Sequence, residues 1–324
     1  MRHLPLPAIL IALPLAAALW HLSAGAQSIP WETVLHALAM PGESFETVVI
    51  REIRLPRTLG AAIAGAGLGV AGALMQGVTR NPLAEPGLFG LLAGAALAVV
   101  AGQSVPGLGG VAALPFLAAL GAVAGAAMVW ALTTLARSGS ELTPVLAGAA
   151  VTAFLVALTT LLNLLDERGF EELRIWLSGS LAGLRMTVIL TVLPWVLCGF
   201  GAALFIGPRL TALAMGDEAA TGLGLSVARL RAAAIAAVVA LTAVGVAVAG
   251  PLAFVGLTVP HAARLLVGTD YARVVPVSMG LGAAYLLGVD TLARIVLSPS
   301  EISTGILTAI LGAPVFIALV RLRA

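Results

Sequence analysis

Long apolar runs follow one another along the whole chain, separated by short segments rich in charge, glycine and proline. A helix needs roughly 20 mostly apolar residues to cross about 30 Å of hydrocarbon, and ten runs come close to that length. The ten predicted spans lie near residues 5–24, 57–77, 86–102, 110–136, 143–165, 186–206, 228–249, 251–267, 274–293 and 304–320. The pattern predicts an all-α polytopic membrane protein with about ten transmembrane helices, forming a single transmembrane domain over residues 1–324.

The first run has a second interpretation. Arg2 precedes an apolar stretch that ends in Ala24-Gly25-Ala26, and a cleaved signal sequence shows the same order of features. We prefer a spanning helix here and keep the signal sequence as the alternative.

The composition agrees with a membrane environment. Hydrophobic residues make up 60% of the 324 positions and charged residues only 10%, which is too little polar side chain to cover a soluble globule of this size. No room is left for a sizeable soluble domain. The formal net charge of +2 offers no nucleic-acid footprint.

All 17 basic residues are arginine, because the sequence contains no lysine. A phosphate-binding loop of the form GxxxxGK[ST] requires a lysine, so the chain has no such nucleotide site of its own. If ATP drives this protein, a partner must bind the ATP. The single Cys198 lies in an apolar run and can form no internal disulfide, so we expect it to fill the core.

Charge along the loops predicts the orientation. With both termini inside, ten arginines fall on the inner side and seven outside, in modest agreement with the positive-inside rule. The inner ten are Arg2, Arg80, Arg137, Arg209, Arg229, Arg231, Arg264, Arg273, Arg321 and Arg323. Arg51, Arg54 and Arg57 form an outer cluster that runs against the rule and needs a separate reason.

Two halves of the chain share a short pattern. Ala71-Gly-Ala-Leu74 leads to Pro82 as Ala249-Gly-Pro-Leu252 leads to Pro260, at a constant offset of 178 that Gly90 and Gly268 also keep. The two copies would run in opposite directions, which predicts an inverted internal repeat of the kind found in transport proteins. The glycines between Gly65 and Gly69 predict close helix packing.

A set of motifs runs from about residue 50 to the C-terminus: Arg54-Leu-Pro-Arg57, Asn81-Pro-Leu-Ala-Glu-Pro-Gly87, Trp176-Leu-Ser-Gly-Ser180, Gly216 to Gly224, Phe254-Val-Gly-Leu257 with Pro260, His261 and Arg264, Asp290 with Arg294, Glu301 to Gly305, and Leu311 to Phe316. This set resembles the FecCD-type permeases, which import iron chelates, haem and cobalamin with ATP-binding cassette partners. The common order of the motifs makes the resemblance specific.

The segment Gly216 to Gly224 is too short to span, and its acidic first turn and terminal glycine suit a small helix at the inner surface. The resemblance implies that this helix docks into the ATPase and transmits its closure. The implied coupling residues are Gly216, Asp217, Glu218, Ala220, Leu223 and Gly224. An ordinary loop helix is the alternative that the residues alone would favour.

The resemblance also assigns the outward arginines. It implies that Arg54 and Arg294, with Arg57, form a cationic outer rim that meets glutamates of a solute-binding protein, because guanidinium groups bind carboxylates through two hydrogen bonds. Arg51 matches no motif, so we expect it to snorkel or to pair with Glu46 or Glu52.

Other polar residues have plainer interpretations. Residues 81–87 form a structural turn, His261 is a hydrogen-bonded core residue, and Asp290 pairs with Arg294 four positions later. We predict no bound metal and no cofactor on this chain, with ATP and Mg²⁺ on the partner. No nucleophile, base and orienting group recur at a catalytic spacing, so an enzyme is not expected.

The resemblance implies a homodimer in the bacterial cytoplasmic (inner) membrane, with two ATPase subunits inside and one solute-binding protein outside. The pathway would lie at the dimer axis, lined by the spans near 143–165 and 304–320. Two motifs, at 81–87 and near the C-terminus, favour cobalamin as the cargo, with haem or a ferric siderophore as alternatives. An ion-coupled secondary transporter, with Asp290 as its one candidate core carboxylate, and a non-transporting scaffold are the rivals from other classes.

Overall fold

The computed structural model describes residues 6–25, 27–40, 42–105, 107–108, 110–136, 143–165 and 176–321, and within these ranges it contains helices and no strand. The predicted inner residues Arg2, Arg137 and Arg323 lie outside them. The helices are α1 (Leu6–Ser23), α2 (Trp31–Ala39), α3 (Phe45–Val48), α4 (Leu55–Thr79), α5 (Leu91–Gln103), α6 (Leu114–Leu135), α7 (Thr143–Leu165), α8 (Met186–Ala214), α9 (Asp217–Gly222), α10 (Val227–Ala249), α11 (Val255–Val267), α12 (Tyr271–Ile295) and α13 (Thr304–Arg321).

Every predicted span falls on a helix. Six helical stretches are long and apolar enough to cross a membrane, and four shorter apolar helices lie at the remaining predicted positions. The span predicted near 186–206 continues to Ala214. The span predicted from residue 86 begins only at Leu91, because Gly90 adopts a left-handed φ of 73° that no helix interior allows.

The sequence pattern missed two elements on the side that is predicted to face outward. Helix α2 has only nine residues, too few for a spanning pattern, and buries Val34 and Ala37 on one face. A π-helical segment, Val49–Arg54, joins α3 to α4, so the helical path reaches α4 without interruption. This turn sets the positions of Arg51 and Arg54.

Helix α4 lies at the centre of the molecule. It packs against α8, α10, α11 and α12, and 83% of the most apolar window of its span is buried. In contrast, only 22% of the corresponding window of α7 is buried. Helix α1 packs on α12, α5 to α7 form a group beside α10, and α13 packs on α11 and α12.

Glycine makes the central packing possible, as the glycine-rich sequence of α4 predicts. A side-chain carbon at Gly65 would overlap the Gly282 carbonyl of α12, and one at Gly72 would overlap the Gly256 carbonyl of α11. Backbones that approach this closely leave no room for a Cβ atom, because only glycine lacks one.

The repeat predicted from the sequence does not match equivalent positions in the two halves, although the helices of the two halves follow a similar order of lengths. Gly72 lies inside α4, whereas Gly250 ends α10 with a φ of 70°, so the two glycines do not occupy equivalent places. The helix lengths nevertheless follow a common order, with 25, 13, 22 and 23 residues in α4 to α7 and 23, 13, 25 and 18 in α10 to α13.

A break in the α-helical path precedes each of the two 13-residue helices, and the first break contains a single 3-10 turn, Gly87–Phe89. Gly148 of α7 is packed against the Leu88 carbonyl in the break before α5. Gly312 of α13 is packed against the side chain of Phe254, the left-handed residue before α11. Helices α7 and α13 therefore each contact one break through a glycine.

A glycine-to-alanine pair tests the central packing. Gly72→Ala should destabilise the protein by about 1–3 kcal/mol, because the added methyl group overpacks the contact with α11. Gly288→Ala in α12 is the control, since nothing lies within 4 Å of the added carbon. Thermal unfolding of both variants in detergent measures the difference, and equal melting temperatures would contradict the packing argument.

Candidate functional site

A fully buried carboxylate, Asp290 of α12, lies at the end of the molecule that the sequence predicts to be the outer one. Arg57 donates to both of its oxygens, from Nε to Oδ2 at 2.8 Å and from Nη2 to Oδ1 at 3.1 Å. His21 Nε2 lies 2.8 Å from Oδ2, and the Thr304 hydroxyl donates to Oδ1 at 2.5 Å. These contacts join α1, α4, α12 and the first residue of α13 through one side chain.

Arg294 completes the cluster. Its Nη2 donates to the His21 carbonyl at 2.7 Å, and its Nε lies 3.7 Å from Asp290 Oδ2. The predicted pairing of Asp290 with Arg294 is therefore present, but Arg57 and not Arg294 is the close partner. The Arg57 contact spans 233 residues, so no local spacing could reveal it.

Arg54 is held by backbone oxygens. Its guanidinium group donates to the carbonyls of Leu22, Ser23 and Gln27, at 2.6, 2.8 and 2.5 Å. Leu22 and Ser23 are the last residues of α1, where unpaired carbonyls give the helix end a partial negative charge. Arg54 thus fixes the end of α1 against the start of α4.

The three arginines predicted for docking line one outer cavity of about 220 Å³, together with Gly25, Gln27, Phe45 and Glu301. Only 6% of Arg54, 7% of Arg57 and 4% of Arg294 is exposed. The three arginines therefore do not form the exposed cationic rim that the sequence predicts. Arg57 Nη1 donates to Glu301 Oε2 at 2.8 Å, and Glu301 is the more open partner, with 41% of its side chain exposed.

The expected ion pairing of Arg51 and the expected core position of Cys198 are wrong. Arg51 does not pair with Glu46 or Glu52 but donates to the Ala37 and Leu38 carbonyls at the end of α2, at 2.6 and 2.8 Å. Cys198 is exposed on the surface of α8 and does not fill the core. An apolar run in a membrane protein can face lipid as readily as protein, so its hydropathy does not decide burial.

The break before α5 contains a buried carboxyl group. Glu85 is only 5% exposed and accepts a hydrogen bond from the Phe254 backbone, at the N-terminus of α11. A carboxylate there satisfies an unpaired N–H group and the positive end of the helix dipole. The sequence predicts a structural turn over 81–87, and the structure adds that Glu85 links the two breaks.

A cavity of about 480 Å³ adjoins Glu85. Its walls come from both breaks, from α5 and from three threonines of α7, Thr152, Thr159 and Thr160. At the inner side of the same break region, Arg264 donates to the Gln76 side chain at 2.5 Å, and Gln76 donates to the Gly256 carbonyl at 3.2 Å.

The predicted surface helix is present as α9. Gly216 precedes it with a φ of 130°, and Gly224 follows it with a φ of 78°, conformations that favour glycine at both ends. Asp217 in its first turn forms ion pairs with Arg80 and with Arg231, whose Nη2 lies 3.0 Å away. These pairs attach α9 to the ends of α4 and α10.

The implied coupling residues point in different directions. Ala220 is fully buried beneath α9, whereas 69% of Leu223 is exposed. Glu218 lies in the first turn beside Asp217. Leu223 is therefore the apolar side chain of this segment that a partner could contact, and Ala220 supports the helix from below.

Histidine, cysteine and carboxylate side chains do not gather into a metal-binding group. Among the described residues no three of them could hold one ion. His261 is half-buried on α11 and has an interaction partner. The absence of a resident metal or cofactor stays a prediction.

The described residues contain helices and no strand, and six helical stretches are long and apolar enough to cross a membrane, as in a polytopic membrane protein. The model of the FecCD transport family matches residues 11–322, and the chain belongs to that family. It is thus an ATP-binding cassette importer permease and not itself an ATPase.

Relatives and solved structures agree with this assignment. The ferric enterobactin permease FepD of Escherichia coli is 39% identical over 99% of this chain and 96% of its own length. The Fe(3+)-citrate import permease YfmD of Bacillus subtilis is 40% identical over 93% and 90%. The cobalamin import permease BtuC of Halobacterium salinarum is 36% identical over 91% and 80%.

Among solved structures, an inward-facing metal-chelate type ABC transporter is similar with a TM-score of 0.80 and 32% identity, covering 97% of this chain and 99% of its own. PsaBC of Streptococcus pneumoniae has a TM-score of 0.58 at 15% identity, which shows a common fold alone.

Two substitutions test the Asp290 cluster. Asp290→Asn should lower the free energy of unfolding by about 3–5 kcal/mol, because it leaves buried cations without their counter-ion. Glu301→Gln removes a more exposed partner of the same arginine and should cost about 1 kcal/mol or less. Chemical unfolding in detergent compares them, and an equal loss would show that Asp290 is not the centre of the cluster.

Proposed function

We propose that the chain is the membrane subunit of an importer for ferric chelates, working as a homodimer with two ATPase subunits and one solute-binding protein. The observation that supports it best is the placement of exposed Leu223 at one end and the arginine-lined cavity at the other, joined by the buried α4. A permease needs both an inner contact for its motor and an outer contact for its cargo carrier.

The ten predicted spans form the proposed topology, with both termini on the cytoplasmic side of the bacterial inner membrane. The six long and four shorter apolar helices supply the spans. The series α4 to α7 and α10 to α13 form the inverted repeat, in which α5 and α11 are the short helices that follow the breaks in the α-helical path. Broken helices of this kind occur at the interface between repeats in transporters.

Helices α7 and α13 line the proposed pathway at the dimer axis. Both carry exposed apolar side chains, among them Phe154 and Val156 of α7 and Ile306 and Ile310 of α13. Walls of this kind hold no strong charged site, so cargo recognition falls to the solute-binding protein. The buried breaks beneath Gly148 and Gly312 provide the surfaces on which the two helices rest.

An ion-coupled secondary transporter is less well supported. Its required core carboxylate would be Asp290, but this side chain already accepts hydrogen bonds from Arg57 and Thr304 and lies against His21. A carboxylate so fully occupied serves packing of the helices better than binding of a transported ion.

The relatives favour a ferric chelate over cobalamin as the cargo. The motifs at residues 81–87 and at the C-terminus favour cobalamin, but relatives named for ferric enterobactin and ferric citrate are 39% and 40% identical, against 36% for a cobalamin permease. These margins support a ferric chelate as the first cargo to test and cobalamin as the direct competitor, with haem as a third.

The reconstituted complex tests both motor and cargo. With its binding protein and ATPase in proteoliposomes, the protein should take up a radio-iron-labelled siderophore on addition of ATP, and faster than labelled cobalamin or haem. Leu223→Glu should reduce this uptake at least tenfold, because a charge replaces an exposed apolar contact with the ATPase. Initial rates measure the effect.

Leu223→Met is the control, since it keeps an apolar side chain of similar volume. The variant Ala220→Glu is less informative, because Ala220 is buried and the change would disturb α9 itself. Uptake by Leu223→Glu at the wild-type rate would contradict the coupling role, and uptake without ATP would contradict the importer.

Glu301 indicates how Arg54, Arg57 and Arg294 would bind the solute-binding protein. This glutamate occupies Arg57 Nη1 and is the exposed member of the pair, so an incoming carboxylate of the binding protein would compete with it. Exchange of one carboxylate for another costs little, because Arg57 keeps its two bonds to Asp290.

Glu301→Gln should therefore raise the affinity for the binding protein severalfold. Glu43→Gln is the control, because Glu43 is an exposed outer carboxylate in the segment before α3 and its removal changes only the long-range field. Surface plasmon resonance with the complex in nanodiscs measures both. A weaker affinity for Glu301→Gln would mean that Glu301 contributes to docking instead of competing with it.

A further inference from the structure

A groove of about 700 Å³ lies between α8 and α10. Small side chains form its floor, with Gly199 and Ala202 from α8 and Ala233 and Ala237 from α10. Cys198 lies at one end, on the exposed face of α8. The functional site uses none of these residues.

The groove opens where the bilayer would be. Its two walls, α8 and α10, are among the long apolar helices that can cross a membrane. An apolar groove at that depth is filled by hydrocarbon or by protein, because water has no polar partners there. Its lining is mostly apolar side chain, which suits an acyl chain.

The other end of the groove is basic. Arg209 and Arg229 both line it, beside Ser226. Arg209 is half-buried, with its guanidinium group 3.9 Å from the centre of the Phe205 ring, and Arg229 is exposed. The groove thus combines an apolar channel with two cations at one mouth.

Arg209 and Arg229 differ from the nearby arginines in whether a carboxylate neutralises their charge. Asp217 neutralises Arg80 and Arg231 at the same end of the molecule. In the described ranges, neither Arg209 nor Arg229 forms an ion pair with a carboxylate. Arg209 donates from Nη1 to the Phe205 carbonyl of its own helix, a neutral partner that does not cancel its charge, and two guanidinium groups suit a phosphate.

The spacing also fits a lipid. Eleven residues of α8 separate Cys198 from Arg209, a rise of roughly 16 Å, and one leaflet contributes about half of the roughly 30 Å hydrocarbon core. We propose that the groove between α8 and α10 binds one anionic phospholipid, with its phosphate at Arg209 and Arg229 and an acyl chain along the small residues toward Cys198.

The bound lipid would connect two helices that flank the coupling helix, because α9 lies between α8 and α10 in the chain. Its placement in the cytoplasmic leaflet rests on the proposed function, which puts α9 on the ATPase side. The binding itself does not depend on transport, so the two proposals can fail separately.

Titration of the delipidated full-length protein in detergent with phosphatidylglycerol, followed by native mass spectrometry, tests the site. Wild type should bind one phosphatidylglycerol in preference to phosphatidylcholine. The double variant Arg209→Gln with Arg229→Gln should weaken phosphatidylglycerol binding about 30-fold, because each arginine near an anionic headgroup contributes a factor of about five.

The matched control is Arg273→Gln with Arg321→Gln, which removes two exposed arginines from the same end but outside the groove. Its affinity should stay close to wild type. An equal loss in both double variants would show a general surface-charge effect and overturn the site, as would the absence of any preference for phosphatidylglycerol in the wild type.

A second variant tests the acyl channel without touching the arginines. Ala236→Trp places a bulky ring in the groove lining and should abolish the bound lipid, whereas Ala232→Trp puts the same ring on an exposed position of α10 outside the lining. Both variants should elute from size exclusion as wild type does. Retained phosphatidylglycerol in a folded Ala236→Trp protein would overturn the proposal.

Discussion

The outer half of this fold depends on the buried charge of Asp290. An ionised carboxylate in a membrane interior is costly unless cations and hydroxyl groups surround it, so Asp290 requires Arg57, His21 and Thr304 at fixed positions. Because these residues belong to different helices, one electrostatic requirement fixes α1, α4 and α13 around α12. It also joins the start of the proposed pathway helix, α13, to the arginine that lines the outer cavity, because Thr304 and Arg57 both donate to Asp290.

Toward the middle of the molecule, close contact between helix backbones holds the helices together in place of charged groups. Gly65 and Gly72 bring α4 against α12 and α11, where side chains would hold the helices apart. Close backbone packing therefore stabilises the centre of the molecule, and ion pairs stabilise the end that contains Asp290. Helix α7 shares neither contact and α13 joins the charged cluster through Thr304 alone, and each of the two helices also contacts one break through a glycine.

The spans could be predicted from sequence because bilayer thickness sets the length of an apolar run, and α9 because acids and glycines mark the ends of a short helix. Long-range pairing could not. Nothing near Arg57 in the sequence indicates Asp290, and nothing near Glu85 indicates the Phe254 backbone. Exposure was also beyond prediction, as Cys198 shows, since lipid-facing and core-facing helix surfaces are equally apolar.

The separation of Arg57 from Asp290 has a consequence for how the protein is made. A ribosome that adds about 5–20 residues per second needs on the order of tens of seconds to extend the chain from one to the other. During that time α4 is already synthesised, with its cation uncompensated and its glycine surface uncovered. Helices α1 and α4, which both meet the helix of Asp290, are therefore made long before the partner that compensates their polar groups, and α1 waits longer because His21 lies 269 residues from Asp290.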